Sequence, residues 1–183
     1  MKILFASDIH GSAYYCRKLL AAYEESKASR LVLLGDLLYH GARNDLPKDY
    51  APKEVTALLN EKKNEIYAVR GNCESEVDQM VLEFPVMADY MVLTDEKVTF
   101  FVTHGHLFNE AKLPPMKQGD VLIHGHTHVL CAKKMEEYFL LNPGSVTLPK
   151  EDNPQTYAIY EDGIFTIWDF AGNRIAELDL IQK

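Results

Sequence analysis

The sequence predicts an α/β sandwich whose first half is parallel and whose second half is largely antiparallel. Up to residue 82, short apolar runs alternate with segments of helical periodicity. This βαβαβ rhythm calls for parallel strands with helices packed on the sheet. Beyond Pro85 the chain alternates instead and is richer in β-branched and aromatic residues, as half-buried antiparallel strands are. A third observation concerns the strand ends, because several apolar runs stop at an Asp, Asn or His.

Lys2 to Ser7 is a short buried strand, closed by Asp8-Ile9-His10-Gly11. Ser12 can N-cap a helix running to about Ala28, with Cys16, Leu19, Leu20 and Tyr23 on one face. Arg30 to Leu34 is a second buried strand and ends at Gly35-Asp36. A polar loop from about Tyr39 to Asp49 leads to a helix opened by Pro52, with Val55, Leu58 and Leu59 turned inward. Glu65 to Val69 is a third strand and ends at Arg70-Gly71-Asn72-Cys73-Glu74. Ser75-Glu76-Val77-Asp78 resembles a capping box and starts a short helix to about Leu82. Met87–Leu93 and Lys97–Thr103 form a hairpin, and Leu107–Gly119 is a loop containing Pro114-Pro115. Val121–Ile123 precedes His124-Gly125-His126-Thr127-His128. Further strands are expected at Val129–Ala132, Tyr138–Leu141, Thr156–Tyr160, Ile164–Asp169 and Arg174–Leu180. With no repeat or linker in view, residues 1–183 are expected to form one domain.

Composition narrows the function. A hydrophobic content of 47% and a charged content of 25% are ordinary for a soluble globular protein. The net charge of −8 argues against a nucleic-acid or anionic-membrane surface. No apolar run approaches the roughly 20 residues needed to span a bilayer. Asp8 follows the first apolar run too soon for a signal peptide, and three widely spaced cysteines fit a reducing compartment. The expected location is the cytoplasm.

The candidate site lies at the strand ends. Asp8, His10, Asp36, Asn72, His104, His126 and His128 all follow strand-like runs, and open α/β sheets build sites beyond the carboxyl ends of their strands. Read as an extended segment, His126 and His128 point to the same side, with Thr127 facing away. Two carboxylates, four imidazoles and an amide are too many for one four-coordinate ion and suit two. Mixed N/O donors without thiolate favour Mn, Fe, Co, Ni or Zn over Mg or Ca. A carboxylate such as Asp36 can bridge two ions, and such pairs suit in-line phosphoryl displacement. Singly, each residue has a plainer reading: Asp8 as a helix cap, His10 as a loop histidine, Asp36 and Asn72 as turn formers. Those plainer readings would all have to hold at once, at matching strand ends.

Asp8-Ile9-His10, Gly35-Asp36, Gly71-Asn72-Cys73-Glu74, Thr103-His104-Gly105-His106 and Gly125-His126-Thr127-His128 resemble, in order, the five motifs of calcineurin-like metallophosphoesterases. The length matches the small, lid-poor branch that includes bacterial and archaeal phosphodiesterases. The resemblance implies a four-layer α/β/β/α sandwich with mixed sheets. It also implies a dinuclear-metal phosphodiesterase using a metal-bridging hydroxide as nucleophile, with Mn²⁺ as the expected metal. Asp8, His10 and His128 would hold the first metal, Asn72, His104 and His126 the second, and Asp36 would bridge them. Asn72 and Asp36 are thereby catalytic candidates together with Cys73, which stands where the superfamily usually has a phosphate-contacting histidine. A thiol is a poorer proton donor, so the resemblance implies diesters with good leaving groups rather than monoesters.

His106 and His124 flank ligands and are expected to support them by hydrogen bonds. His40 and Arg43 are candidate phosphate contacts from the rim, with His40 equally readable as a solvated loop residue. Arg70 either reaches the phosphate or pairs with an acid to hold its loop. The expected partner is a small phosphodiester, with self-association open. Two alternatives share the fold: a non-catalytic protein-binding scaffold, as in the retromer component of this superfamily, and a cyclic-nucleotide phosphodiesterase. Completeness of the ligand set separates the first from a hydrolase.

Overall fold

In the computed structural model, residues 1–181 are described, so the last two residues of the expected domain lie outside the described residues. The first half follows the predicted rhythm: β1 (Lys2–Ala6), α1 (Ala13–Ser26), β2 (Arg30–Leu33), α2 (Pro52–Asn60) and β3 (Ile66–Ala68). Ser12 caps α1 by accepting a hydrogen bond from the Tyr15 N–H. The helix buries Cys16, Leu19, Leu20 and Tyr23, the face expected from their spacing. Pro52 opens α2, which buries Val55 and Leu59. Then come α3 (Glu76–Val81), β4 (Tyr90–Thr94), β5 (Thr99–Thr103), β6 (Val121–Ile123), β7 (Cys131–Lys134) and β8 (Phe139–Asn142). The last strands are β9 (Thr156–Glu161), β10 (Ile164–Asp169) and β11 (Arg174–Asp179).

These strands make two mixed sheets, ordered β11-β10-β9-β1-β2-β3 and β4-β5-β6-β8-β7. In the first, β1, β2 and β3 are parallel, and the antiparallel meander β9-β10-β11 closes onto the free edge of β1. The second sheet corrects the expectation of a largely antiparallel second half, because β5, β6 and β8 run parallel in its centre. Parallel neighbours need a crossover, usually a helix. Here the β5-to-β6 crossover is the 104–120 coil, which shows no helical period to betray it.

Alternate faces of the strands divide the apolar residues into layers. Leu4, Leu31, Leu33 and Ile66 face α1 and α2, whereas Phe5, Val32, Phe100, Val102, Val121, Ile123 and Tyr160 fill the space between the sheets. Phe101, Leu122 and Leu140 lie on the outer face of the second sheet, covered by Phe108 and Met116 of the 104–120 coil. The α/β sandwich with mixed sheets is therefore observed, with coil as the outer layer over the second sheet. Among the described residues no helix is long and apolar enough to cross a membrane.

Register positions the site. Ala6 pairs with Leu33, and Leu33 with Ala68, so β1, β2 and β3 end level. Val102 pairs with Ile123 in the second sheet, so β5 and β6 end together as well. Five loops leave the carboxyl ends of these strands along one edge of the sandwich.

Candidate metal centre

The loops turn sharply, and the residues at the turns are the candidate ligands. Asp8, His10, Asp36, His126 and His128 all adopt left-handed backbone, with φ of 61°, 49°, 57°, 66° and 62°. Such a conformation costs a non-glycine residue on the order of 1–2 kcal/mol, and it clusters at functional sites. It also corrects the extended reading of the last motif. β6 stops at Ile123, and His126 and His128 are aimed by left-handed turns rather than by strand alternation. Glycine is required at 125, just before them, since a Cβ there would lie 1.8 Å from Ser7 Oγ and 2.8 Å from Asp8 Oδ2.

Backbone carbonyls fix the imidazoles. His10 Nδ1 lies 2.8 Å from the Tyr39 carbonyl, His104 Nδ1 2.7 Å from that of Leu34, and His128 Nδ1 2.5 Å from that of Leu148. A carbonyl can only accept, so each Nδ1 carries the proton and each Nε2 presents a lone pair. Those lone pairs converge in two groups. His10 Nε2 and His128 Nε2 are 3.2 Å apart, and Asp8 Oδ1 lies 3.6 and 3.2 Å from them. His104 Nε2 lies 3.1 Å from Asn72 Oδ1 and 3.2 Å from His126 Nδ1. Asp36 spans the groups, with Oδ2 3.8 Å from His10 Nε2 and Oδ1 3.5 Å from His104 Nε2. All seven sequence-predicted ligands thus come to one place.

Acceptors facing acceptors repel unless a cation lies between them. Asp8, His10, His104 and His128 are buried, so water cannot screen them. Asp8 Oδ1 is buried without a hydrogen-bond donor among the described residues. Burial alone would raise the Asp8 carboxyl, but His10 and His128 hold it well below the usual carboxylate range. His10 moves the other way: burial would lower it, yet Asp8 outweighs burial and raises it, as a site welcoming positive charge requires. Burial and the neighbouring His104 lower His126 and His106, keeping both imidazoles neutral and able to donate a lone pair. The donor set fits divalent transition-metal ions.

Several supporting residues escaped the sequence reading. Glu74 is buried, and its carboxylate accepts hydrogen bonds from the backbone N–H groups of Asp36, Leu37 and Gly71 at 2.8, 2.7 and 2.5 Å. It ties the loop after β2 to the loop after β3. Burial and the nearby Asp36 push its pKa up to about 6. The segment after β8 holds the other side. Asn142 Nδ2 donates to the Gly125 carbonyl at 2.9 Å, Ser145 Oγ to that of Asp8 at 3.0 Å, and Thr147 Oγ1 to that of Ile9 at 2.8 Å. The available signal was a run of polar and turn residues, Asn142-Pro143-Gly144-Ser145, directly after an apolar strand.

A cavity of about 780 Å³ opens over His10, Asp36, Asn72, His126 and His128. Cys73 lines it, with its N–H donating to Asp36 Oδ1 at 2.9 Å. Burial, and then the charge of Asp36, raise the Cys73 thiol, so it is neutral. Arg43 lines the cavity, as does Lys150, a cation the motifs did not flag. His40 is not among the lining residues; its ring packs against Tyr39 and Tyr50. Arg70 pairs with Asp89 at 2.6 Å and holds its loop, the second of its two expected roles. His124 Nδ1 hydrogen-bonds the Gly125 carbonyl at 3.0 Å, and its Nε2 lies 3.3 Å from the Glu110 carboxylate. His106 packs its ring 5.4 Å from that of His104, and its buried Nδ1 has no hydrogen-bond partner among the described residues, where a supporting hydrogen bond was expected.

Residues 1–162 match the calcineurin-like phosphoesterase superfamily domain. The chain belongs to the calcineurin-like phosphoesterase superfamily. Over 167 residues, 91% of each chain, it is 48% identical to the phosphodiesterase YfcE of Escherichia coli strain K12. The solved structure of that E. coli phosphoesterase matches with a TM-score of 0.97 and 45% identity, covering 98% of this chain and 100% of the other. Vps29 of Entamoeba histolytica, solved in complex with zinc, matches with a TM-score of 0.63 at 18% identity, over 98% and 99% of the two chains. At that identity the likeness shows the fold alone. Divalent metal ions are the cofactors that membership implies, and they would supply the charge the converging lone pairs call for.

Proposed function

We propose that the chain is a metal-dependent phosphodiesterase with a dinuclear centre. Asp8, His10 and His128 would hold one ion, Asn72, His104 and His126 the other, and Asp36 would bridge. The observation that carries this reading is Asp36 itself, whose two carboxylate oxygens face different histidine groups. Two divalent ions would supply a water of lowered pKa as the nucleophile and would neutralise charge on the phosphoryl oxygens. Mn²⁺ is the metal proposed, from the family resemblance, and the mixed N/O donors suit it together with Fe, Co, Ni and Zn.

The remaining groups suit a diester. Arg43 and Lys150 line the cavity and make its rim attractive to a phosphate anion although the whole chain carries −8. Cys73 is a neutral thiol beside the centre, weak as a proton donor to a departing alkoxide. That favours substrates whose leaving group needs no proton. The 48% identity to a phosphodiesterase supports the same class. We further propose one domain, a small-molecule substrate and a cytoplasmic location, in keeping with three free cysteines. All seven ligand residues are present, which favours a hydrolase over a scaffold of the same fold.

The test is a metal-titrated panel of bis(p-nitrophenyl) phosphate, p-nitrophenyl phosphate and a cyclic nucleotide. Hydrolysis of the aryl diester, restored best by Mn²⁺ and abolished by EDTA, is the expected result. Turnover that survives complete metal removal would overturn the mechanism.

A further inference from the structure

Beside the cavity over the metal ligands lies an apolar groove that the proposed chemistry does not use. Its volume is about 320 Å³, and its walls are mainly Leu38, Tyr39, Tyr50, Pro52, Val77 and Val81, with Lys53, Thr56 and Asp78 beside them. Tyr39 lines both the groove and the cavity, so one side chain joins them. Helix α3 spans the same junction. Its N-cap Ser75 lines the cavity, while Val77 and Val81 line the groove.

Three features suit this groove to a ligand. One wall is aromatic, because Tyr39 and Tyr50 both line it. Aromatic side chains accept a second ring edge-on or offset-stacked. The other wall holds apolar side chains in solvent: Val77 is 65% and Val81 44% exposed, on a helix that buries no residue. Leaving that surface wet forfeits burial that a ligand would restore. Finally, the groove is fixed relative to the ligands, because the Tyr39 carbonyl accepts the His10 Nδ1 proton at 2.8 Å. Its volume is at the low end for ligand sites, roughly 300–1,000 Å³, and holds one ring system.

We propose that this groove is a substrate subsite that receives an aromatic or apolar substituent of the phosphodiester. The substrate class is then diesters in which at least one alcohol carries such a group. This rests on the phosphodiesterase reading, and it assigns to Tyr39 a packing role in substrate choice.

The probes are methylphenylphosphinate and dimethylphosphinate, monoanionic diester mimics with no leaving group. Their binding to the metal-loaded protein is measured by calorimetry, and their inhibition of bis(p-nitrophenyl) phosphate hydrolysis by kinetics. The phenyl compound is expected to bind roughly tenfold more tightly, from burial of one ring face. In V77S/V81S that ratio is expected to fall to within about twofold of unity, because the groove loses one apolar wall. Equal affinities in the unmodified protein, or a ratio unmoved in the variant, would overturn the subsite. A variant that changes only the sedimentation coefficient would make this face a self-association surface and also overturn it. Calorimetry needs no turnover, so absence of hydrolysis with a preserved affinity ratio would count against the phosphodiesterase reading and not against the groove.

Discussion

Asp36 is the residue on which the two-ion reading turns, and its substitution separates bridging from simple ligation. Asp36→Asn keeps the size but removes the charge, and one amide nitrogen cannot donate a lone pair. Metal content measured by mass spectrometry is expected to fall below two ions per chain. The rate is expected to drop by about three orders of magnitude, equivalent to several kcal/mol of lost charge stabilisation. Normal stoichiometry with near-normal turnover would remove Asp36 from the bridge. Cys73→His tests the neighbouring position. An imidazole reaching the phosphate should raise monoester turnover relative to diester turnover, and an unchanged ratio would make Cys73 a packing residue. The gathering of the seven candidate residues was legible because each is a polar residue closing an apolar run. Their aim was not, because left-handed backbone at His126 and His128 leaves no sign in a sequence whose His-x-His spacing also fits a strand.

Among elements, the three-residue strands β3 and β6 hold much of the centre, and each is too short to place its loop unaided. Glu74 supplies what β3 lacks, by gathering N–H groups from two loops with one buried carboxylate. Glu74→Ala would leave three donors without that acceptor. A loss on the order of 3 kcal/mol in urea unfolding is expected, with weaker metal retention on dialysis. A loss under half that size would mean that water replaces the carboxylate. Helices were readable from their spacing, as Cys16, Leu19, Leu20 and Tyr23 show. Strand direction in the second sheet was not. Direction is set by the path of the 104–120 coil, and that path depends on Phe108 and Met116 packing on Leu122 and Leu140, contacts distant in sequence.

For the whole molecule, the two sheets meet at an edge where like charges and lone pairs converge, so metal binding and folding are linked. Divalent ions that bind only the folded chain stabilise it by mass action, by about 2.7 kcal/mol at a hundredfold excess over Kd. For a chain of this size that is roughly 5–10 °C. Calorimetric melting with EDTA and then with increasing Mn²⁺ should show a rising, concentration-dependent midpoint. A midpoint indifferent to metal would mean that the convergent groups are satisfied without it. The sandwich was legible as a class because its layers follow from apolar periodicity. The joining of β9 to β1, which folds the late meander back onto the first strand, was not, because nothing local to Thr156–Glu161 names its partner.

The carbonyls of Leu34, Tyr39 and Leu148 that orient His10, His104 and His128 have a further consequence. They belong to main chain, so replacing the side chain at any of these positions leaves the acceptor in place. Drift at 39 and 148, outside the core, can therefore reshape the surroundings of the centre, including its apolar flank, without detuning the imidazoles. What such a site cannot tolerate is a change of chain length, since one residue inserted between Leu34 and Tyr39 would rotate a carbonyl away from its ring. The orientation of the imidazoles is thus robust to side-chain change at 39 and 148 and fragile to insertion, so the flank can vary over a fixed set of histidines.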